Sequence, residues 1–571
     1  MIDYWAHSAC LDAFLAGLSG GAGEQDLRDR LLPAASADRE ATMLGALVDH
    51  LVHHSETDAE LGLVRQAAQL WKKALTVYAT VSTARDDIEA ALLDPVNPVS
   101  VERFNKAAAQ LVDLQGDLGA LQSQIAAQHA ALAPIPYLRA PHPRQQSLDI
   151  ASWSFTDRFL ARRTAAFLGE LVHSAPDDRT MAFAAGAVAS FVGNGFGSAY
   201  LGAVVGGPRR LHRVRDRLAR NTVGAWLAVH RGLPSLTDLA DLVSFGAAAG
   251  NETIPAPTRQ ALQDALAAAY PNLSPFPDLD IGLRRMTEHL RLLDSFELPP
   301  LPKLLAPKLG ATLTVGPGSP GGGVKPQAYG DDPGGPAVTT QPGTGDKSSS
   351  SGAICLAILA VVTLLIAALI ICIGLLTTEG KCTPKRVWET IVGAGGDNDP
   401  PTAATAQTLV AAAGSGDGAQ LVKEFTKVQG AIWQGLSQAR TFLATIGLIY
   451  PTPTQLSTPL FQQFASTPNV GAGVWPRREP PDEFDSYTDA PTTPVEQPAG
   501  NSPMPPQVDP GYIVDQLPGW IGELVIHFFD EPVNMDLDAD RGLRHRCWDL
   551  QPGTHITDQP LSVRLLAYGE V

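Results

Sequence analysis

The sequence predicts a mainly α-helical protein that also has one transmembrane helix and a small α/β domain near its C-terminal end. Residues 353–376 form an unbroken apolar run without charge or proline. Two long segments, 57–93 and 99–132, repeat apolar residues at three- and four-residue steps, which is typical of helices with a packing seam. Residues 511–571 contain two strand-like stretches, 522–533 and 561–571, bounded by turn-forming residues, which favours a β-containing ending.

Length and composition limit the number of domains and the classes of function. A chain of 571 residues is long enough for two or three domains with sizeable cores. Its net charge of −17 excludes a general nucleic-acid binder, because backbone phosphates would repel it. The expected order begins with a helical hairpin or bundle region over 1–143, a second helical block over 144–300 and a disordered Gly/Pro/Ser linker over 301–352. The transmembrane helix over 353–376 and a helical extracytoplasmic segment over 377–450 follow. A Pro-rich acidic linker over 451–510 then leads to the small domain over 511–571.

The first two helical segments are expected to pair as a long antiparallel hairpin. Leu61, Val64, Ala68, Trp71, Leu75 and Tyr78 lie on the seam of the first arm. A proline-containing turn at 94–98 ends that arm, since proline lacks the amide hydrogen that a helix needs. Such a hairpin serves as a protein-docking element or as half of an ordinary bundle core, and the sequence leaves both interpretations open.

The second helical block contains an uncharged stretch and then a basic one. Residues 181–206 are rich in Ala, Gly and Val, and their glycines favour a buried, tightly packed helix pair over a second membrane span. The following segment is a basic amphipathic helix that would contact anionic lipid or an acidic partner, or form a solvated face. Within this segment, residues 208–220, the arginines expected to lie near one another on the helix are Arg209, Arg210, Arg213, Arg217 and Arg220.

The apolar run at 353–376 is long enough to span the roughly 30 Å hydrocarbon core of a bilayer. With no signal peptide at the start, we expect a single-pass cell-membrane protein with residues 1–352 in the cytoplasm and 377–571 outside. The flanking charges favour the opposite orientation, because three basic residues follow the run and one precedes it. Cys382 and Cys547 both fall in the outer part, where they would form a disulfide or remain two unrelated thiols.

Motifs that would indicate catalysis fail on spacing. Residues 343–349 resemble a phosphate-binding loop, but Asp346 stands where glycine must precede lysine. Residues 535–542 resemble a calcium loop whose glycine comes one residue late. His50 and His54 have the spacing of a shared metal site, yet HLVHH (residues 50–54) lacks the glutamate of a helical zinc protease. We therefore expect no catalytic, cofactor-binding or metal-binding residues, and a non-enzymatic protein.

The order of parts, with an Ala/Arg/Asp/Pro-rich composition, resembles the CisA-type membrane proteins associated with actinobacterial contractile injection systems. The resemblance implies an adaptor that recruits a large cytoplasmic assembly through residues 1–300, is held in the bilayer by 353–376, and supports firing of the assembly under stress. A transmembrane sensor with an outer ligand-binding domain is the alternative, followed by a membrane-tethered metal-dependent hydrolase using the histidines. A homo-oligomer is left open.

Overall fold

In the computed structural model, the described residues are 2–93, 154–161, 163–205, 213–270, 275–302, 418–445, 447–465, 509–525 and 537. Of these, 78% are helical and none lies in a strand, so the predicted mainly α class is confirmed. The chain divides into two compact units. Unit 1 comprises Met1–Arg65, Pro136–Ser295 and Leu443–Val571, and unit 2 comprises Gln66–Ile135 and Phe296–Phe442.

The helices of the N-terminal half, in chain order, are α1 Tyr4–Ser19, α2 Gln25–Ala37, α3 Arg39–Ala46, α4 Val48–Glu56, α5 Ala59–Leu93, α6 Phe155–Ala161, α7 Thr164–Ser174, α8 Asp178–Val205, α9 Arg213–Arg231, α10 Leu236–Val243, α11 Ala256–Ala269 and α12 Leu279–Asp294. Several begin at a side chain that accepts a backbone N–H, as Asp3 does for α1, Asp38 for α3 and Asp278 for α12. The later helices are α13 Gly418–Thr445, α14 Pro453–Leu456, α15 Pro459–Ala465 and α16 Gly511–Val525.

Unit 1 is built around α8, against which α1, α2, α3, α7 and α16 pack. The Ala- and Gly-rich sequence permits this, because small side chains let neighbouring helix backbones approach closely. A Cβ atom on Gly186 would lie 1.9 Å from the carbonyl oxygen of Thr42 in α3. Within the stretch at 181–206 that was expected to be buried, residues 182–195, 197, 200 and 201 are buried, and the part up to Val205 belongs to one 28-residue helix instead of a helix pair.

Unit 2 contains most of α5 and α13 and the segment that starts at Phe296. Gln429 on α13 donates to Ser82 Oγ on α5 (2.6 Å) and accepts from Arg85 (2.9 Å). Tyr78 and Trp433 donate to the carbonyl oxygens of residues 300 and 299, at 2.6 and 2.9 Å. Helix α5 covers the segment that was expected to form the first arm of a hairpin. Leu75 of the predicted seam is half-buried, while its five other residues are buried: Leu61, Val64, Ala68, Trp71 and Tyr78. The second arm, 99–132, lies outside the described residues.

The predicted β-containing ending needs correction over its first part. Residues 511–525 form α16, which includes four residues expected to begin a strand and packs on α1 and α8 of unit 1. The buried apolar side chains Ile513, Leu517 and Ile521 recur at four-residue steps, which fits a helix face better than alternation in a strand. Beyond Val525, only residue 537 is described.

The predicted membrane localisation is contradicted. Within the described ranges, no helix combines the length and apolar character needed to cross a bilayer. The longest uncharged stretch there belongs to α8, where glycines lower the hydrophobicity. The apolar run at 353–376, the linker at 303–352, most of 377–450 and 451–510, and the cysteines Cys382 and Cys547 lie outside the described residues.

Candidate functional site

Unit 1 contains a polar cavity of about 30 Å³, close to the space that one water molecule occupies. It lies where the start of α1 meets α4, the first turn of α5, α9, α12 and the segment after α13. Its lining residues are Asp3, Tyr4, His50, His53, His54, Glu60, Arg220, Asn221, His289, Leu293, Leu448 and Tyr450. This concentration of ionisable side chains in one cavity makes it the candidate site.

The Tyr4 hydroxyl lies between two imidazoles. It is 2.8 Å from Nε2 of His54 and 3.0 Å from Nδ1 of His289. A hydroxyl has one proton, so Tyr4 donates to one ring and accepts from the other. Tyr4, His54 and His289 therefore form a short hydrogen-bonded chain, here called the relay. Its two terminal nitrogen atoms, His54 Nδ1 and His289 Nε2, are buried and have no hydrogen-bond partner among the described residues.

Burial keeps the histidines of this relay uncharged. It lowers the pKa of His289 to about 4 and that of His54 well below its usual value, in each case because the charged ring would lose its hydration. Burial also raises the pKa of Tyr4 well above its usual value. At neutral pH the relay consequently consists of neutral hydrogen-bonding groups.

A second polar cluster adjoins the cavity through His50. His7 Nε2 lies 3.0 Å from Oδ2 of Asp49, which also accepts from Asn194 Nδ2 at 2.9 Å. The backbone N–H of Ile2 donates to Asn194 Oδ1 at 2.7 Å, and His50 Nε2 lies 3.1 Å from the Ile2 carbonyl oxygen. Helices α4 and α8 thereby hold the buried residue Ile2 by both of its backbone polar groups.

Burial and contacts within the cluster also shift the pKa values of Asp49 and His50. Burial would raise the pKa of Asp49, but the imidazoles of His7 and His50, with hydrogen bonds from His7 and Asn194, hold it well below its usual value. Burial lowers the pKa of His50 to about 3. At neutral pH, Asp49 is therefore a buried carboxylate beside a neutral His50.

Charged side chains on the cavity wall have specific partners. Arg217 Nη2 donates to Glu60 Oε1 at 2.5 Å, and Asn221 donates to the carbonyl oxygens of Gly447 and Ile449. Burial opposes ionisation of Glu60, yet Arg217 holds its pKa well below the usual value. Burial raises the pKa of Asp3 to about 7. The pKa values of the two carboxyl groups on the wall, Glu60 and Asp3, are thus shifted in opposite directions.

The predicted basic face is only partly described, and two of its residues have internal roles. The side chain of Arg217 is 12% exposed and pairs with Glu60, while the half-buried Arg220 lines the cavity. These two arginines therefore do not lie on a free basic surface. Arg213 begins α9, and Arg209 and Arg210 lie outside the described residues.

The spacing of His50 and His54, which is that of a shared metal site, instead marked two residues of the candidate site with different partners. His50 and His54 diverge to separate partners, His50 toward Ile2 and His54 toward Tyr4. Sequence reasoning missed His7, Asp49 and His289, because the fold brings them together from distant positions. The one local signal was the adjacency of Asp49 and His50 on α4.

Comparisons with known proteins find no relative. No protein-family model matches the chain, and no curated protein or solved structure matches it either.

Proposed function

We propose that this protein is a non-enzymatic adaptor that binds a large protein assembly through its helical N-terminal part, within residues 1–300. The resemblance in the order of parts suggests a contractile injection particle as that assembly. The observation that carries the proposal is an exposed stripe along α5, on the side opposite its buried seam.

Helix α5 has the dimensions of a docking arm. Its 35 residues correspond to about 50 Å at 1.5 Å per residue. Exposed residues recur at three- and four-residue steps, as expected for one continuous helix face. This α5 stripe consists of Gln69, Lys72, Lys73, Thr76, Ala79, Thr83 and Asp86.

The chemistry of the α5 stripe suits a reversible polar contact. It has no large apolar side chain, and its two adjacent lysines favour an acidic surface on the partner. A helix of this length can contact neighbouring copies of a repeated subunit, as the wall of a phage-tail-like particle would present. This supports an adaptor that recognises an assembled array in preference to a single subunit.

Cosedimentation tests the proposal. The full chain is centrifuged with purified contractile injection particles, and we expect it to pellet with them. The double variant Lys72→Glu, Lys73→Glu should bind about 10-fold more weakly, because charge reversal opposes an acidic partner. Arg30→Glu, Arg39→Glu is the matched control, since both arginines are exposed on other helices.

The control should bind within about twofold of the unchanged protein, as surface charges away from an interface contribute little. An unchanged chain that stays in the supernatant would contradict the adaptor proposal. Equal weakening by both double variants would contradict the assignment of the α5 stripe.

A further inference from the structure

We propose that His7, Asp49 and His50 form a binding site for a divalent transition-metal ion such as Zn²⁺. The three side chains come from α1 and α4 and are all buried. One ligand atom can be taken from each so that all three atoms lie within 4.8 Å of one another. Two imidazoles and a carboxylate are a donor set that zinc and related ions use in proteins.

The spacing is close to that of a coordination sphere. Zinc binds imidazole nitrogen and carboxylate oxygen at about 2.0–2.2 Å, so two ligand atoms of a tetrahedral ion lie about 3.4 Å apart. His7 Nε2 and Asp49 Oδ2 are already 3.0 Å apart. The widest separation in the cluster, up to 4.8 Å, has to shorten by about 1.4 Å when the ion binds.

Asp49 is a buried carboxylate whose ion pair within the described residues is with His7, and no Arg or Lys pairs with it there. A bound cation would supply positive charge beside this carboxylate, which is costly to bury without a cationic partner.

The surroundings are suited to hold the ligands in place. Asn194 donates to Asp49, and the backbone N–H of His50 donates to the other carboxylate oxygen at 2.9 Å. Hydrogen bonds of this kind fix the orientation of metal ligands.

The cluster shares one residue with the cavity. His50 belongs to both, whereas His7 and Asp49 do not line the cavity. The inference concerns a site separate from the α5 stripe and does not depend on the adaptor proposal.

Titration with Co²⁺ tests the site, because this ion gives visible absorption bands in a four-coordinate environment. The full chain is first dialysed against a chelator and then titrated with Co²⁺ and, in competition, Zn²⁺. We expect one equivalent to bind and Zn²⁺ to displace it. His7→Gln, Asp49→Asn and His50→Gln should each weaken binding at least about 10-fold.

Two variants serve as controls. His54→Gln changes a buried histidine on the same helix, and His173→Gln changes an exposed one. Both should keep the stoichiometry and the spectrum of the unchanged protein. Circular dichroism establishes which ligand variants retain their helices.

Anomalous diffraction from zinc-soaked crystals of the unchanged protein decides the matter even if the ligand variants do not fold. A peak between His7, Asp49 and His50 is expected. An unchanged protein that binds no stoichiometric ion, a peak at other residues, or folded His7→Gln and His50→Gln variants with undiminished binding would each overturn the proposal.

Discussion

Gly45 on α3 and Gly186 on α8 meet at a helix crossing where neither position has room for a side chain. A Cβ on Gly45 would lie 1.9 Å from the carbonyl oxygen of Phe183, and one on Gly186 would lie 2.9 Å from the carbonyl carbon of Gly45. The obstructing atoms belong to backbone, which cannot move aside as a flexible side chain can. This crossing places α3, and α4 after it, against the central helix of unit 1.

Gly186→Ala should therefore lower the free energy of unfolding by about 3 kcal/mol, because the added methyl group forces α3 and α8 apart. Gly62→Ala is the matched control, since this helical glycine on α5 has no atom within 4 Å of an added Cβ. The control should be stabilised by about 0.5–1 kcal/mol through helix propensity. Urea denaturation followed by circular dichroism measures both changes, and equal destabilisation would contradict the tight crossing.

Arg217→Met should destabilise unit 1 by about 2 kcal/mol, because it leaves Glu60 without its partner in a largely buried setting. Arg231→Met breaks the more exposed pair with Asp515 and should cost less than about 1 kcal/mol. Thermal unfolding compares the two variants. If they were equally stable, the Arg217–Glu60 pair would have no structural role.

Local sequence patterns predicted the helices well but predicted the contacts of the candidate functional site poorly. The seam from Leu61 to Tyr78 was predictable because helical periodicity needs only neighbouring residues. The contact of His7 with Asp49 was not, since these residues are 42 positions apart and meet only through the packing of α1 and α4. Arg217 looked like a surface charge because Glu60, its partner, lies 157 positions earlier.

Acid should destabilise the metal-free protein partly through His289. Its pKa is about 4 when folded and near 6.5 when unfolded, so the unfolded chain binds more protons between these values. Stability from this group is present above about pH 6.5 and is lost as the pH falls toward 4, by an amount on the order of 3 kcal/mol. Glu60 and Glu288 favour the charged ring and Arg217 opposes it, but burial is the largest influence.

His289→Gln should flatten this acid dependence between pH 6.5 and 4, whatever its effect on stability at neutral pH, because glutamine does not titrate. The measurement is the urea midpoint across that pH range. His173→Gln, at an exposed position, should keep the slope of the unchanged protein. An unaltered slope in His289→Gln would show that the ring does not titrate with a depressed pKa.

The adaptor proposal is tested most directly by site-specific photo-crosslinking in cells that produce the injection particle. A photoreactive amino acid replaces Ala79 on the α5 stripe or, as a matched control, the exposed Ala268 on α11. We predict that the probe at position 79 cross-links to a structural subunit of the particle, while the probe at position 268 does not. Absence of this cross-link at position 79, or the same product from both positions, would contradict the account.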